Sequence, residues 1–329
     1  MQALITGAGG FVGGHLLTYL RTHTTFALHG TLRTDRPSTE QPAAAITWHT
    51  VNLCDRAAVY NLIQVVRPDR IYHLAGQASI PRSFEDPWET LENNLRAPLN
   101  LFDAVRAAGL PETRILVVGS AEMYGIVPPD QLPITESQPF NPASPYSVSK
   151  IAQDLLAMQY HTSYQLFTVR VRPFNHIGPG QSDRFAVAAF AHQIALIEQN
   201  ATLPIVHVGD LSAERDFTDV RDIVRAYYLT LEQGKPGMAY NVCSGAAWSM
   251  RNILDRLLAL SNRPIDIQFD PTRLRPIVIP KLLGDSSALR VQTGWQPHFA
   301  LDQTLRDVLN DWRQRVIAPL PATVDRTPF

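Results

Sequence analysis

Ala3-Leu4-Ile5-Thr6-Gly7-Ala8-Gly9-Gly10-Phe11-Val12-Gly13 opens the chain with an apolar run, a glycine-rich turn and the start of an amphipathic segment. The apolar run is short enough for a buried strand. Behind the turn, Phe11, Val12, Leu16, Leu17 and Leu20 recur at helical spacing. Glycine permits a tight turn and a close approach to the backbone. A helix that starts there aims free N–H groups and the positive end of its dipole at whatever lies above it. Strand, glycine turn and helix in this order predict a βα unit suited to a pyrophosphate. Alone, the turn also fits an ordinary strand–helix connection.

A second stretch, Tyr146-Ser147-Val148-Ser149-Lys150, supplies chemistry. Residues four apart share one face of a helix, so the Lys150 ammonium lies near the Tyr146 phenol. A phenol with its ordinary pKa of about 10 is a poor base at neutral pH, and a neighbouring cation lowers that value. An isolated Tyr-x-x-x-Lys is more often a half-buried Tyr beside a solvated Lys. Paired with a dinucleotide turn, it predicts a proton-transfer device beside a hydride carrier, hence alcohol–ketone redox.

The bulk properties agree. The 329 residues are 45% hydrophobic and 18% charged, enough for a large core in one or two domains. The net charge of −1 carries no basic excess for nucleic acid or a membrane surface. Cys54 and Cys243 lack metal-ligand spacing and sit beside expected strands, so both are expected to be buried, reduced thiols, with no metal site. No apolar run reaches membrane-spanning length, and the first strand begins at once, which predicts a soluble cytoplasmic protein.

Apolar runs predict strands near Ala3–Ile5, Thr25–Leu32, Thr47–Val51, Arg70–Leu74, Arg114–Val118 and Leu166–Arg172. Helical patterns fall near Phe11–Arg21, Arg56–Val66, Pro87–Ala108 and Pro145–Ser163. The alternation predicts an α/β, doubly wound parallel sheet with helices on both faces. Ile115-Leu116-Val117-Val118 reads as a central strand, and it ends in Gly119-Ser120-Ala121-Glu122, where ligands bind in open α/β sheets. The pattern changes near residue 175, at the Gly- and Pro-rich loop Asn175-His176-Ile177-Gly178-Pro179-Gly180-Gln181. Further helices are expected near Val187–Glu198, Val220–Leu231, Met250–Leu260 and Leu301–Arg315, then a frayed tail over 316–329.

The segments TGAGGFVGGHL, YHLAGQAS, GSAEMYG, SPYSVSK, RPFNHIGPGQ, RDFTDVRDIV and YNVCSG together resemble the extended short-chain dehydrogenase/reductase superfamily, in its nucleotide-sugar branch. Within that branch, FNHIGPGQ, RDFTDVRDIVRAY and LRP are most similar to the GDP-4-dehydro-6-deoxy-D-mannose reductases. The next relatives, the GDP-mannose 4,6-dehydratases, typically open on a Gly-Gln-Asp-Gly turn and carry a longer Arg-rich loop after the second strand. This chain has Gly9-Gly10-Phe11-Val12-Gly13 and a short connection. At the strand end, Ala121 stands where these enzymes often have Ser or Thr. Glu122 matches the dehydratase group that abstracts the C5 proton, so dehydratase or epimerase chemistry stays open.

The resemblance implies a Rossmann-type NADP-binding domain over 1–174, with the chain returning near 210–245, and a smaller C-terminal α/β substrate-binding region over 175–315. It implies that Gly7, Gly10, Phe11, Val12, Gly13, Asn52, Leu53, Leu74, Ala75, Gly76, Tyr146, Lys150 and Pro173 line the cofactor. Arg33 follows the second strand where NAD-specific sites place an acid, and a guanidinium suits the 2′-phosphate of NADP(H). Asp35 and Arg36 follow it. Ser120, Glu122, Tyr146 and Lys150 are the expected catalytic residues, with Asn94 in support. Ser120, Ala121, Glu122, Asn175, Arg215 and Arg275 are expected at a GDP-sugar, and His176 is expected to shape its loop. NADPH-dependent 4-keto reduction follows, against a non-catalytic NADP-sensing protein as the contrasting class. The resemblance also implies a homodimer through the helices near 87–108 and 145–163, whose apolar residues would serve an internal core equally well.

Overall fold

The computed structural model describes residues 1–33, 46–274 and 279–317. The opening apolar run is β1 (Gln2–Thr6), and the glycine turn leads into α1 (Phe11–His23). Then follow β2 (Ala27–Leu32), β3 (Ile46–Thr50), α2 (Arg56–Val66), β4 (Arg70–His73), α3 (Ile80–Glu85), α4 (Pro87–Ala107), β5 (Arg114–Val118), α5 (Pro145–Tyr164) and β6 (Phe167–Pro173). The second part contains β7 (Asn175–Ile177), α6 (Ala186–Glu198), β8 (Ile205–Val208), β9 (Glu214–Asp219), α7 (Val220–Gln233), β10 (Ala239–Val242), β11 (Ala247–Ser249) and α8 (Met250–Leu258). It closes with β12 (Asp266–Phe269), β13 (Lys281–Leu282), α9 (Ser287–Thr293) and α10 (Leu301–Ile317).

Seven parallel strands pair in the order β10-β6-β5-β4-β1-β2-β3. The chain winds outward in one direction through β2 and β3, then returns to the other side of β1 through β4 and β5. The order therefore reverses between β1 and β4, and a crevice opens at their carboxyl ends. Successive β1 side chains face opposite ways. Ala3 and Ile5 pack with Leu16, Leu17 and Leu20 of α1 and Ile223, Val224 and Tyr227 of α7. Leu4 packs on the other face with Ile63 of α2, Leu101, Phe102 and Val105 of α4, and Ala157 of α5. Burying such a side chain contributes roughly 1.5–3 kcal/mol, so two full helix layers hold the sheet.

A separate core joins α6, α8 and α10. Beside it, β8 and β12 form a two-stranded parallel sheet, and β9 pairs with β7, β11 and β13. The chain re-enters the main sheet, with α7 covering one face and β10 added beside β6.

Two short helices lie outside the expected pattern. Ser79 caps α3 by accepting from the Arg82 N–H, with Pro81 in its first turn, and α9 ends at Gly294 in the left-handed conformation. At six and seven residues they are too short to show hydrophobic periodicity. α10 extends through Ile317, two residues into the expected tail, and the rest of that tail lies outside the described residues. Cys243 is buried, whereas Cys54 is only half-buried because it borders a pocket at the end of β3.

Candidate active site

Gly7 turns the chain at φ 68°, and a Cβ there would lie 2.9 Å from the backbone of Ala75. A Cβ on Gly13 would lie 2.3 Å from the Gly7 carbonyl oxygen, so the first turn of α1 packs directly on the glycine turn. Gly10 caps α1 and closes the turn by donating its N–H to Gly7 O at 3.0 Å. Thr6 fixes the neighbouring strand end: its hydroxyl accepts from Ala75 N at 3.2 Å and shares a 2.8 Å hydrogen bond with His73 Nδ1. A Cβ on Gly76 would sit 3.7 Å from Lys150 Nζ. Gly7, Ala75, Gly76 and Lys150 thus form one continuous floor of closely approachable backbone, the shape a dinucleotide needs.

Arg33 and Asn52 line a pocket of about 360 Å³ with Cys54, Asp55, Glu92, Asn93 and Arg96. Leu53 turns inward to the core shared with α2 and α4. Val12 packs against the α1–α7 core, and Pro173 is buried at the end of β6 beside Val242. The Phe11 ring stacks on His176 with centroids 6.3 Å apart, placing it beneath the 175–181 loop. That loop is tied to α1, where His15 Nε2 donates to Pro179 O at 2.8 Å, and to α10, where Asp311 accepts from Gly180 N at 2.9 Å.

Ser120 lies just past β5 and caps a 3-10 turn over Ala121–Tyr124 by accepting from Glu122 N at 3.2 Å. Ala121 packs into a buried cluster with Tyr124, Phe174, Cys243 and Leu282. α5 starts at its cap Ser144, which accepts from Ser147 N, and brings Tyr146 and Lys150 to the same strand end. The Lys150 ammonium donates to Val118 O at 2.9 Å and to Gln153 Oε1 at 3.0 Å. Asn94, the expected supporting residue, bonds to both backbone groups of Gln77 and donates to Ser149 Oγ at 2.8 Å, so it braces the floor against α5.

The electrostatics depart from the spacing-based expectation that Lys150 lowers the Tyr146 pKa. Burial pushes the phenol up to about 12, with the Ser120 hydroxyl pulling it back and the Glu122 charge pushing it further up. The Lys150 field falls instead on His73, which burial and the ammonium lower to about 3. Burial brings Lys150 itself down to about 8. Helical spacing gave the shared face correctly, but the Lys150 hydrogen bonds aim the ammonium at Val118 and Gln153.

Asn175 begins β7 and pairs with Phe217 of β9, and Arg215 lies two residues upstream on β9, donating to Glu214 O at 2.8 Å. His176 Nδ1 bonds to Phe174 O at 3.1 Å, and burial lowers its pKa. Arg275, with Asp35 and Arg36, lies outside the described residues. Sequence reasoning overlooked Thr6, His73, Gln77 and Gln153. Thr6 and His73 carried a positional signal, each ending a strand beside the crevice.

The sequence family GDP-mannose 4,6 dehydratase matches residues 4–308. The chain belongs to this family. It is 37% identical over 316 residues to the GDP-6-deoxy-D-mannose reductase of Pseudomonas aeruginosa, covering 96% of this chain and 98% of that protein. It is 26% identical to a GDP-mannose 4,6-dehydratase of Vibrio cholerae, covering 94% and 92%. The solved structure of RMD from Pseudomonas aeruginosa complexed with NADPH superposes with a TM-score of 0.85 at 36% identity, covering 95% and 99%. The GDP-mannose 4,6 dehydratase family thus includes a chain that opens on Gly9-Gly10-Phe11-Val12-Gly13 and carries Tyr146 and Lys150 on α5.

Proposed function

We propose that this protein reduces the 4-keto group of a GDP-4-dehydro-6-deoxyhexose with NADPH, in the sense GDP-4-dehydro-6-deoxy-D-mannose to GDP-D-rhamnose. The observation that carries the proposal is a buried Tyr146 hydrogen-bonded to the Ser120 hydroxyl, on the same helix as Lys150, which lies against the Gly76 backbone. The likeness to a GDP-6-deoxy-D-mannose reductase supports the substrate. The glycine turn, the first-turn N–H groups of α1 and residues 74–76 would hold the cofactor, with Arg33 and Asn52 at its adenosine end. Bound there, NADPH supplies the hydride for C4. Tyr146 gives its proton to the oxygen that becomes the alcohol, and Ser120 hydrogen-bonds to that oxygen as charge develops. Lys150, whose ammonium is aimed at Val118 O and Gln153 and not at the phenol, is assigned to the cofactor as a fixed positive charge beside Gly76. Reduction consumes a phenol proton, which Tyr146 holds at neutral pH as any tyrosine does. Asn175, Arg215 and Arg275 are assigned to the GDP-sugar.

The Rossmann domain is assigned to 1–174 with the return through α7 and β10, and the substrate region to the remainder up to 315. A homodimer through α4 and α5 is supported by exposed Trp88, Leu99, Val148, Leu155 and Met158 on those helices. A reducing cytoplasmic setting suits two free cysteines, and no helix among the described residues is long and apolar enough to cross a membrane. Dehydration is the second reading, favoured by Glu122, whose charge reaches Tyr146. Incubating the enzyme with GDP-4-dehydro-6-deoxy-D-mannose and NADPH separates the two. The expected result is NADPH oxidation with one GDP-6-deoxyhexose product. Inertness toward the keto sugar, with water loss from GDP-mannose without added reductant, would overturn the proposal.

A further inference from the structure

Lys150 is a buried ammonium with no ion pair among the described residues. The groups around it come from three elements. From α5 come Gln153, whose Oε1 accepts at 3.0 Å, and Tyr146 one turn earlier, a neutral phenol. From β5 comes the carbonyl of Val118, accepting at 2.9 Å. From β4 and the turn after it come His73, neutral at ordinary pH, and the backbone of Gly76. The nearest buried carboxylate in sequence, Asp154, is committed elsewhere: Arg170 and Arg172 hold it at 2.5 and 3.1 Å. Glu122 acts on Tyr146. The positive charge therefore rests on two neutral oxygens. One is a main-chain carbonyl that any sequence would supply. The other exists only because residue 153 is Gln.

We propose that Gln153 is a positioning residue of the active site, whose side-chain carbonyl holds the Lys150 ammonium over the cofactor floor and keeps it charged. The inference rests on the role given to Lys150 above. Gln153 is itself 1% exposed and sits one helical turn beyond Lys150, so its amide has little freedom to leave the ammonium. Desolvation disfavours the charged form of a buried lysine, and a hydrogen bond to that form opposes the shift. Without Gln153, burial would act on Lys150 against a single acceptor.

The test is the alkaline limb of kcat/KM against pH, with NADPH affinity measured alongside. Gln153→Met keeps the length and removes the acceptor. The limb should move down by about one pH unit, a size set by one hydrogen bond to a charged group, with NADPH affinity within about threefold of wild type. Gln153→Glu keeps the shape and adds a negative charge, so the limb should move up by about one unit or more. Opposite displacements are a signature that a merely structural residue would not give. A wild-type limb in both variants overturns the proposal. If Gln153→Met does not fold, the near-isosteric Gln153→Glu decides alone: an upward shift supports the proposal and an unmoved limb refutes it. Lys150→Met guards the premise. If that variant reduces the substrate like wild type, the role of Lys150 itself falls. If it is inactive while both Gln153 variants keep the wild-type profile, only the present inference falls.

Discussion

The turn at residues 6–13 and the β9 region around Asp216 both hold backbone where a ligand is expected, but by different means. At the turn, the contacts that set the shape lie within a few residues: Gly10 N reaches Gly7 O, and Gly13 packs on Gly7 and Ala8. At β9, one buried carboxylate gathers distant segments. Asp216 accepts from Ser244 N at 2.8 Å, Ser244 Oγ at 2.6 Å, Gly245 N at 2.9 Å and Gly284 N at 3.4 Å. These partners lie 28 to 68 residues away in sequence. The glycine turn is thus shaped by its own backbone before it docks on Ala75, whereas the β9 region is gathered by long-range hydrogen bonds to one side chain. Damage to the first should appear as lost cofactor affinity, and damage to the second as lost stability.

Tyr146 stands outside both kinds of construction and gives the largest expected effect. Tyr146→Phe removes one oxygen and keeps the ring packing, so reduction should fall by roughly 10²–10⁴-fold while NADPH affinity is retained. Stopped-flow turnover and fluorescence titration measure the two quantities. A matching loss of affinity would make Tyr146 part of the cofactor scaffold.

Asp216→Ala tests the β9 region. It strands three backbone N–H groups and one hydroxyl, so the unfolding free energy should drop by about 3–5 kcal/mol, read by denaturant melts. NADPH affinity measured well below the melting transition should stay near wild type. An unchanged midpoint would mean that the β9 region is held by packing alone.

Arg33→Ala tests the cofactor site at its adenosine end. If the guanidinium meets only the 2′-phosphate, NADPH should weaken by roughly 10–150-fold and NADH hardly at all. Equal losses for the two would make Arg33 a structural residue of the pocket it shares with Asn52 and Arg96.

The contrast between the two regions also explains what the sequence could disclose. The strands and helices around the glycine turn were legible because periodicity and punctuation are local signals: α1 begins at Phe11 after Gly10, and α2 spans Arg56–Val66 behind its cap Asp55. The shared face of Tyr146 and Lys150 was legible for the same reason. The destination of the ammonium was not, because Val118 O reaches Lys150 only once β5 and α5 are packed. Asn94 was expected as a supporting residue, but its bonds to Gln77 and Ser149 depend on three elements meeting. His73 gave no sign of its buried Nε2, which has no hydrogen-bond partner among the described residues.

The smallest expected effect bears on the central claim, that this site reduces a ketone and does not dehydrate a hexose. Glu122→Gln keeps size and hydrogen bonding but removes the base that a C5 deprotonation requires. Reduction needs only hydride and the Tyr146 proton. NADPH oxidation with GDP-4-dehydro-6-deoxy-D-mannose, followed beside water loss from GDP-mannose, measures both chemistries in wild type and variant. The account predicts that Glu122→Gln retains most of the reduction rate, within about threefold, and that neither protein dehydrates GDP-mannose at a comparable rate. A wild type that dehydrates GDP-mannose, together with a variant that has lost activity by roughly 100-fold or more, would contradict it.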